Sequence, residues 1–234
     1  MKVSNFTLTQ IATIHSPYKE KFSVPRQPGL VPSASALLEI HPPFNDINAF
    51  SGLEGFSHLW LTFIFHKNKP NTKWQPMVRP PRLGGNKRIG VFATRSPNRP
   101  NPIGLSLVEF EGIFQQQGKL FLRLSNIDLV DGTPIIDIKP YIPYADSKPD
   151  ASAGFAQQIP ESSMVVKFSS SALQVIDEHK TLRTLITEVL KQDPRPAYKK
   201  NSEDDKVYAM HLLDFNITWQ VTNQLTLVKS IDLI

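Results

Sequence analysis

Leu105-Ser106-Leu107-Val108-Glu109-Phe110-Glu111-Gly112-Ile113-Phe114, followed after Gln117-Gly118 by Lys119-Leu120-Phe121-Leu122-Arg123-Leu124-Ser125, largely alternates apolar and polar residues. A period of two puts one face of each segment into a core and predicts two strands. Gln117-Gly118 reads as the hinge of the hairpin that joins them. Working outward, Phe6 to Ile14, Leu59 to Phe65 and Ile89 to Thr94 carry the same signal. Val130 to Ile138 is interrupted by Asp131-Gly132-Thr133-Pro134, a turn whose glycine tolerates positive φ and whose proline withholds a ladder donor. Short strands between proline-rich loops predict a mainly β, α+β chain whose first part is a small mixed barrel or curled sheet.

From Tyr144 to Ser163 the composition shifts to Ala, Ser, Asp, Pro and Gln, which marks a surface connection. The predicted organisation is a barrel domain over 1–145, a linker over 146–163 and a smaller C-terminal α+β extension over 164–234. In the extension Met164 to Phe168 reads as a strand. A helix follows, in which Ser171 and Gln174 have capping-box spacing and Leu182, Ile186, Val189 and Leu190 form the apolar stripe. Asp193-Pro194 ends it, because proline disfavours helical geometry in the residue before it. Phe215 to Val221 and Leu225 to Ile231 read as a terminal hairpin.

Composition closes several chemistries. The 234 residues include no cysteine, which removes disulfides, thiolate zinc sites, iron–sulfur ligation and a cysteine nucleophile. None of the six histidines has the i, i+4 spacing of a helical zinc pair, so no metal is expected; His58 and His66 bracket an apolar strand as structural residues. Arg82 to Lys87 lacks the Walker spacing, and neither G-x-S-x-G nor G-x-G-x-x-G occurs. The longest apolar stretch, Leu59 to Phe65, is far short of the ~20 residues a membrane-spanning helix needs. The first residues show no secretory pattern, and a cytoplasmic location is expected.

The charge is unevenly spread. Between Glu54 and Glu109 there is no acid, and the interval holds nine bases: Lys67, Lys69, Lys73, Arg79, Arg82, Lys87, Arg88, Arg95 and Arg99. Taking these nine from the 26 Lys and Arg leaves 17 bases against 21 acids elsewhere, so a near-neutral body bears one cationic segment. Such asymmetry points to a polyanionic partner, and the interleaved prolines with Trp74 and Phe92 suit a stiff surface for structured RNA.

Three segments stand out as candidate binding loops. Pro25-Arg26-Gln27-Pro28-Gly29-Leu30 presents an Arg and a Gln on a stiff loop. Thr94-Arg95-Ser96-Pro97-Asn98-Arg99-Pro100-Asn101-Pro102-Ile103-Gly104 alternates prolines with donors. Asn126-Ile127-Asp128-Leu129-Val130-Asp131-Gly132-Thr133-Pro134, continuing to Asp137 and Lys139, places three acids and a lysine at strand edges. Together with Ser16-Pro17-Tyr18-Lys19, Gly55-Phe56-Ser57-His58-Leu59-Trp60, Arg79-Pro80-Pro81-Arg82-Leu83-Gly84-Gly85, Asp193-Pro194-Arg195-Pro196-Ala197-Tyr198 and Asp214-Phe215-Asn216-Ile217-Thr218-Trp219, they resemble the TrmO (YaeB or TsaA-like) family of S-adenosylmethionine-dependent tRNA methyltransferases over nearly the whole chain.

That resemblance implies a TsaA-like β-barrel cofactor domain with a C-terminal extension, a homodimer, and methyl transfer to the exocyclic nitrogen (N-6) of a threonylcarbamoylated adenosine beside the anticodon of threonine tRNA. It implies that S-adenosylmethionine is held by Arg26, Gln27, Pro28, His66, Lys67, Arg95, Leu105, Ser125, Asn126, Ile127 and Asp128. Arg95 can fork to a carboxylate and Asp128 can accept from a hydroxyl or an amino group. Asp131 and Asp137 are the candidate general bases, Asp131 being favoured because the Gly-Thr-Pro turn should expose it. Arg79, Arg82, Lys87 and Arg88 would meet phosphates, and Arg99 or Lys139 the threonyl carboxylate. Two rival readings are a non-catalytic RNA-binding protein, in which the acids are turn residues, and a small-molecule S-adenosylmethionine enzyme that takes no RNA.

Overall fold

The computed structural model describes residues 4–68, 74–159, 164–195, 199 and 204–234. Lys69 and Lys73 of the cationic interval, positions 160–163 of the linker and Pro196, Ala197 and Tyr198 lie outside the described residues.

The first part of the chain contains β1 (Ala12–His15), β2 (Ser35–Ile40), β3 (His58–Ile64), β4 (Met77–Val78), β5 (Ile89–Gly90), β6 (Ile103–Gln116), β7 (Lys119–Ser125) and β8 (Pro134–Pro140). All but β4 and β5 close into a barrel in the order β1-β2-β7-β6-β3-β8, every neighbouring pair antiparallel. The two-residue alternation does the sorting: Ile14, Leu38, Leu59, Leu61, Val108, Leu122 and Leu124 point inward and are fully buried. Gln117 and Gly118, at φ 51° and 75°, make the primed turn that a two-residue hairpin requires, with Gln116 paired to Lys119. At Gly104 a Cβ would lie 2.1 Å from Cζ of Phe63, so the inward Phe63 ring occupies the space that only glycine leaves. Outside the barrel β4 and β5 pair as Met77 with Gly90 and Val78 with Ile89, which makes the intervening cationic stretch a tethered excursion.

A single helical turn, α1 (Pro143–Asp146), leads out of β8. The second part contains β9 (Val165–Phe168), α2 (Ser170–Glu178), α3 (Lys180–Lys191), β10 (Asp204–Leu212), β11 (Phe215–Thr222) and β12 (Leu225–Leu233). Its sheet runs β10-β11-β12-β9, with β9 parallel to β12 and the other pairs antiparallel. Ala172 and Ile176 of α2, and Leu182, Leu185, Ile186, Val189 and Leu190 of α3, are buried in one apolar cluster with Met210, Ile217, Trp219 and Val228 of the sheet. That cluster is continuous with the barrel core. The junction is also hydrogen-bonded: Tyr18 bridges to Leu212, and Leu213 N–H donates to the Pro17 carbonyl at 2.8 Å.

Several local expectations differ. Of Phe6 to Ile14 only the end pairs, as β1. Only Ile89–Gly90 of Ile89 to Thr94 is strand, and Val91–Ala93 turns into a 3-10 helix. The single predicted helix is two, broken at His179 with φ −131° and ψ 67°, and its cap is Ser169, whose hydroxyl accepts from Ala172 N–H, rather than Ser171.

Candidate cofactor and RNA site

Three loops from separate strands converge. The β1–β2 connection carries Arg26-Gln27-Pro28 and turns at Gly29, φ 79°. The β5–β6 connection carries Arg95 and is stitched by its own side chains: Thr94 Oγ1 accepts from Ser96 N–H, Ser96 Oγ accepts from Asn98 N–H, each at 3.2 Å, and Arg99 Nη1 donates to the Thr94 and Ser96 carbonyls at 3.2 and 3.3 Å. Arg95 Nη1 donates to Gln27 Oε1 at 2.5 Å, joining the first loop to the second. The β7–β8 connection supplies Asp128, whose carboxylate accepts from the Ser106 hydroxyl of β6. Burial pushes the Asp128 carboxyl up to about 6; the Ser106 bond, its own backbone N–H and the positive charge of Arg95 oppose that rise.

Beside this junction Pro28, Gly29, His58, Leu107, Glu109 and Asn126 line a cavity of about 170 Å³. Glu109 accepts from Ser125 Oγ at 3.0 Å and Asn126 Nδ2 at 2.5 Å, and lies 4.0 Å from His58 Nε2. Asn126 sits in the left-handed region at φ 57°, which asparagine tolerates better than most residues. Among the described residues its Oδ1 is buried without a partner, an acceptor open to a donor from a ligand. Ser125 and Ile127 are buried, so they can offer backbone groups more readily than side chains, whereas Leu105 is 57% exposed on the outer face of β6. Sequence reasoning missed Ser106, Leu107 and Glu109, which read as plain strand residues. The available signals were a hydroxyl at an inward position and a carboxylate amid apolar neighbours.

His66 and Lys67 stand at the end of β3, facing the Asp131-Gly132 turn: a Cβ on Gly132 would lie 4.0 Å from His66 Nε2, and Lys21 donates to the Lys67 carbonyl at 3.1 Å. Burial, then the charge of Lys67, hold His66 below the usual imidazole range, and Asp131 opposes them. The turn leaves the Asp131 side chain partly exposed, with both oxygens engaged. Its Oδ1 accepts from Ser16 N–H at 2.9 Å and its Oδ2 from Lys19 at 3.0 Å, so the carboxylate clamps the turn to the β1 exit and lines a separate depression with His15, Lys19 and Arg123. Asp137 lies on β8 opposite Thr62 and is joined to Lys139.

The "tRNA-methyltransferase O N-terminal domain" profile matches residues 13–147, and the "TrmO C-terminal domain" profile matches residues 161–234. The chain belongs to the TrmO family. It is 53% identical over 225 residues to the tRNA (adenine(37)-N6)-methyltransferase of Escherichia coli, covering 94% of this chain and 95% of that one. A Pseudomonas aeruginosa relative, named RcsF and described as an S-adenosylmethionine-dependent methyltransferase, is 46% identical over 91% of both chains. The crystal structure of TrmO from Pseudomonas aeruginosa superposes with a TM-score of 0.78 at 38% identity, covering 99% of this chain and 100% of that one.

On this TrmO framework the cationic side chains fall into two groups. Arg79, Arg82, Lys87 and Arg88 are exposed on the excursion between β4 and β5, with no ion-pair partner among the described residues. Gly84 and Gly85, at φ 71° and 74°, fold that excursion. Arg99 and Lys139 form the second group: Arg99 donates to loop carbonyls and Lys139 is paired with Asp137.

Proposed function

We propose that this chain transfers a methyl group from S-adenosylmethionine to the N6 nitrogen of adenosine 37 in tRNA. The acceptor is a threonylcarbamoylated adenosine beside the anticodon of threonine tRNA, and the reaction takes place in the cytoplasm. The observation that carries the reading is the convergence of Gln27, Arg95 and Asp128 from three loops beside a cavity with an unpartnered amide oxygen. This set fits the cofactor: a guanidinium for its carboxylate, a buried carboxyl for its ammonium or ribose hydroxyls, and the Asn126 Oδ1 for an amino group.

When bound, S-adenosylmethionine supplies a methyl group made electrophilic by a sulfonium. Transfer forms a nitrogen–carbon bond as a sulfur–carbon bond breaks; the proton of the nitrogen passes to water and S-adenosylhomocysteine is released. The protein's part is alignment, which can supply roughly 7–11 kcal/mol of the barrier. Arg26, Gln27, Pro28, His66, Lys67, Arg95, Leu105 and residues 125–128 hold the cofactor, and Arg79, Arg82, Lys87 and Arg88 hold the RNA backbone. Residues 1–145 form the cofactor domain, 146–163 the linker and 164–234 the extension. The chain acts as a homodimer, as the family resemblance implies, which sedimentation would reveal.

The deciding experiment incubates tRNA with the protein, with and without S-adenosylmethionine, and compares nucleosides by mass spectrometry. A gain of one methyl group on the threonylcarbamoylated adenosine is the expected outcome; unchanged nucleosides would overturn the reading.

A further inference from the structure

The loop that presents Arg26, Gln27 and Pro28 is gripped at both ends by the C-terminal unit. At its start the Phe22 ring stacks on Tyr208 of β10 and Trp219 of β11, with centroids 6.4 and 5.8 Å away. At its end Oε2 of Glu188, on α3, accepts from both the backbone N–H and the hydroxyl of Ser33, at 2.9 and 2.6 Å. Gln192, just past α3, donates to the Leu30 carbonyl at 3.3 Å. Between the two ends Asp193, forked by Arg195 at 2.9 and 3.0 Å, lends its negative charge to Arg26 and offsets the partial burial of that guanidinium.

These contacts do not serve barrel closure, since the ladders of β1 and β2 are made within the barrel. They add to the Arg95–Gln27 and Lys21–Lys67 bonds, which tie the loop to its neighbours in the barrel, a second set of holds from the C-terminal unit. Tyr18 carries the connection inward: it is buried, its hydroxyl has no hydrogen-bond partner among the described residues, and it lies within the electrostatic reach of both Asp128 and Glu188. A loop fixed before ligand arrives spares binding the cost of ordering it.

We propose that Glu188 is a positioning residue for the cofactor: by double acceptance from Ser33 it makes α3 a clamp that holds Gln27 in register with Arg95. The clamp rests on the reading of that loop as part of the S-adenosylmethionine site. A clamp predicts a change in cofactor affinity and loop order at nearly constant turnover, whereas a residue that serves only the stability of α3 predicts neither.

The test measures S-adenosylmethionine binding by calorimetry, steady-state kinetics and hydrogen exchange of peptides covering residues 25–33 in the ligand-free protein. Glu188→Ala should weaken binding about tenfold and raise the KM for S-adenosylmethionine similarly, with kcat within about twofold and faster loop exchange. Glu188→Gln, which keeps an acceptor oxygen, should recover most of the affinity. Ser33→Ala, which removes half of the contact without touching α3, should weaken binding about threefold and keeps the proposal testable if Glu188→Ala fails to fold. Thr184→Ala, exposed on the same helix, should match the wild type. Unaltered affinity or unaltered loop exchange in Glu188→Ala, or in Ser33→Ala where the former does not fold, overturns the clamp. A wild-type protein that fails to bind S-adenosylmethionine overturns the site reading instead, and loop exchange then decides the clamp by itself.

Discussion

Arg95 reaches across 68 residues of sequence to donate to Gln27 at 2.5 Å, and the same guanidinium counteracts the rise of the buried Asp128 carboxyl. One side chain thereby links all three loops of the site. Arg95→Ala should lower S-adenosylmethionine affinity about tenfold to a hundredfold, the value of one charge-assisted fork, with little change in melting temperature because Arg95 is exposed. Calorimetry beside a thermal melt checks both halves; wild-type affinity would remove Arg95 from the site.

Asp128 gives a pH signature. Its carboxyl stands at about 6 in the fold against 3.8 for the free side chain, so folding favours the protonated form. The stabilising contribution of that proton is complete below about pH 4 and is lost as pH rises through about 6, on the order of 3 kcal/mol in all. Asp128→Asn removes the ionisation. Urea midpoints should therefore show the variant gaining on the wild type between pH 4 and pH 7. Cofactor affinity should move oppositely, rising through about pH 6 in the wild type as the carboxylate forms and staying flat in Asp128→Asn.

The exposed cations on the β4–β5 excursion should act through counterion release. Arg82→Ala combined with Arg88→Ala is expected to weaken tRNA binding and to reduce the slope of log affinity against log salt by about 1.5 to 2. Filter binding across a salt series reads the slope, and parallel lines for variant and wild type would place the RNA elsewhere.

Gly104 and Phe63 form a tight steric pair. Gly104→Ala puts a methyl where the Phe63 ring lies and should cost about 1–3 kcal/mol by denaturant unfolding. Phe63→Leu in the same chain should restore part of the loss; a neutral Gly104→Ala would mean that the ring moves freely.

Much of the barrel is legible where alternation is clean. The β6–β7 hairpin follows from apolar residues at every second position, with Gln117-Gly118 as the primed turn, and β3 follows from a short apolar run between two histidines. Strand β2 is harder to see because Leu37-Leu38 breaks the alternation between Ala36 and Ile40, and β10 opens with Asp204-Asp205-Lys206, which reads as loop. The break at His179 is hidden because the apolar residues of α2 and α3 run on as one stripe. In the site, proline and glycine punctuation identified the converging loops. The Gln27–Arg95 bond, the Ser106–Asp128 bond and the Glu109–Asn126 bond depend on barrel closure and leave no local trace. The bonds of Asp131 to Ser16 and Lys19 likewise leave no local trace, because a turn residue can be partly exposed and still have both oxygens engaged.

Asn126 meets two demands at once. Its backbone occupies a region that L-residues with bulky or branched side chains resist, while its amide both donates to Glu109 and keeps an oxygen in reserve. Glycine would satisfy the backbone and forfeit the amide; glutamine would keep the amide but strain the turn. The position is therefore a poor place to retune specificity, and efforts to redesign this pocket have more freedom at Leu107, where the chain asks only for an extended residue with an apolar surface.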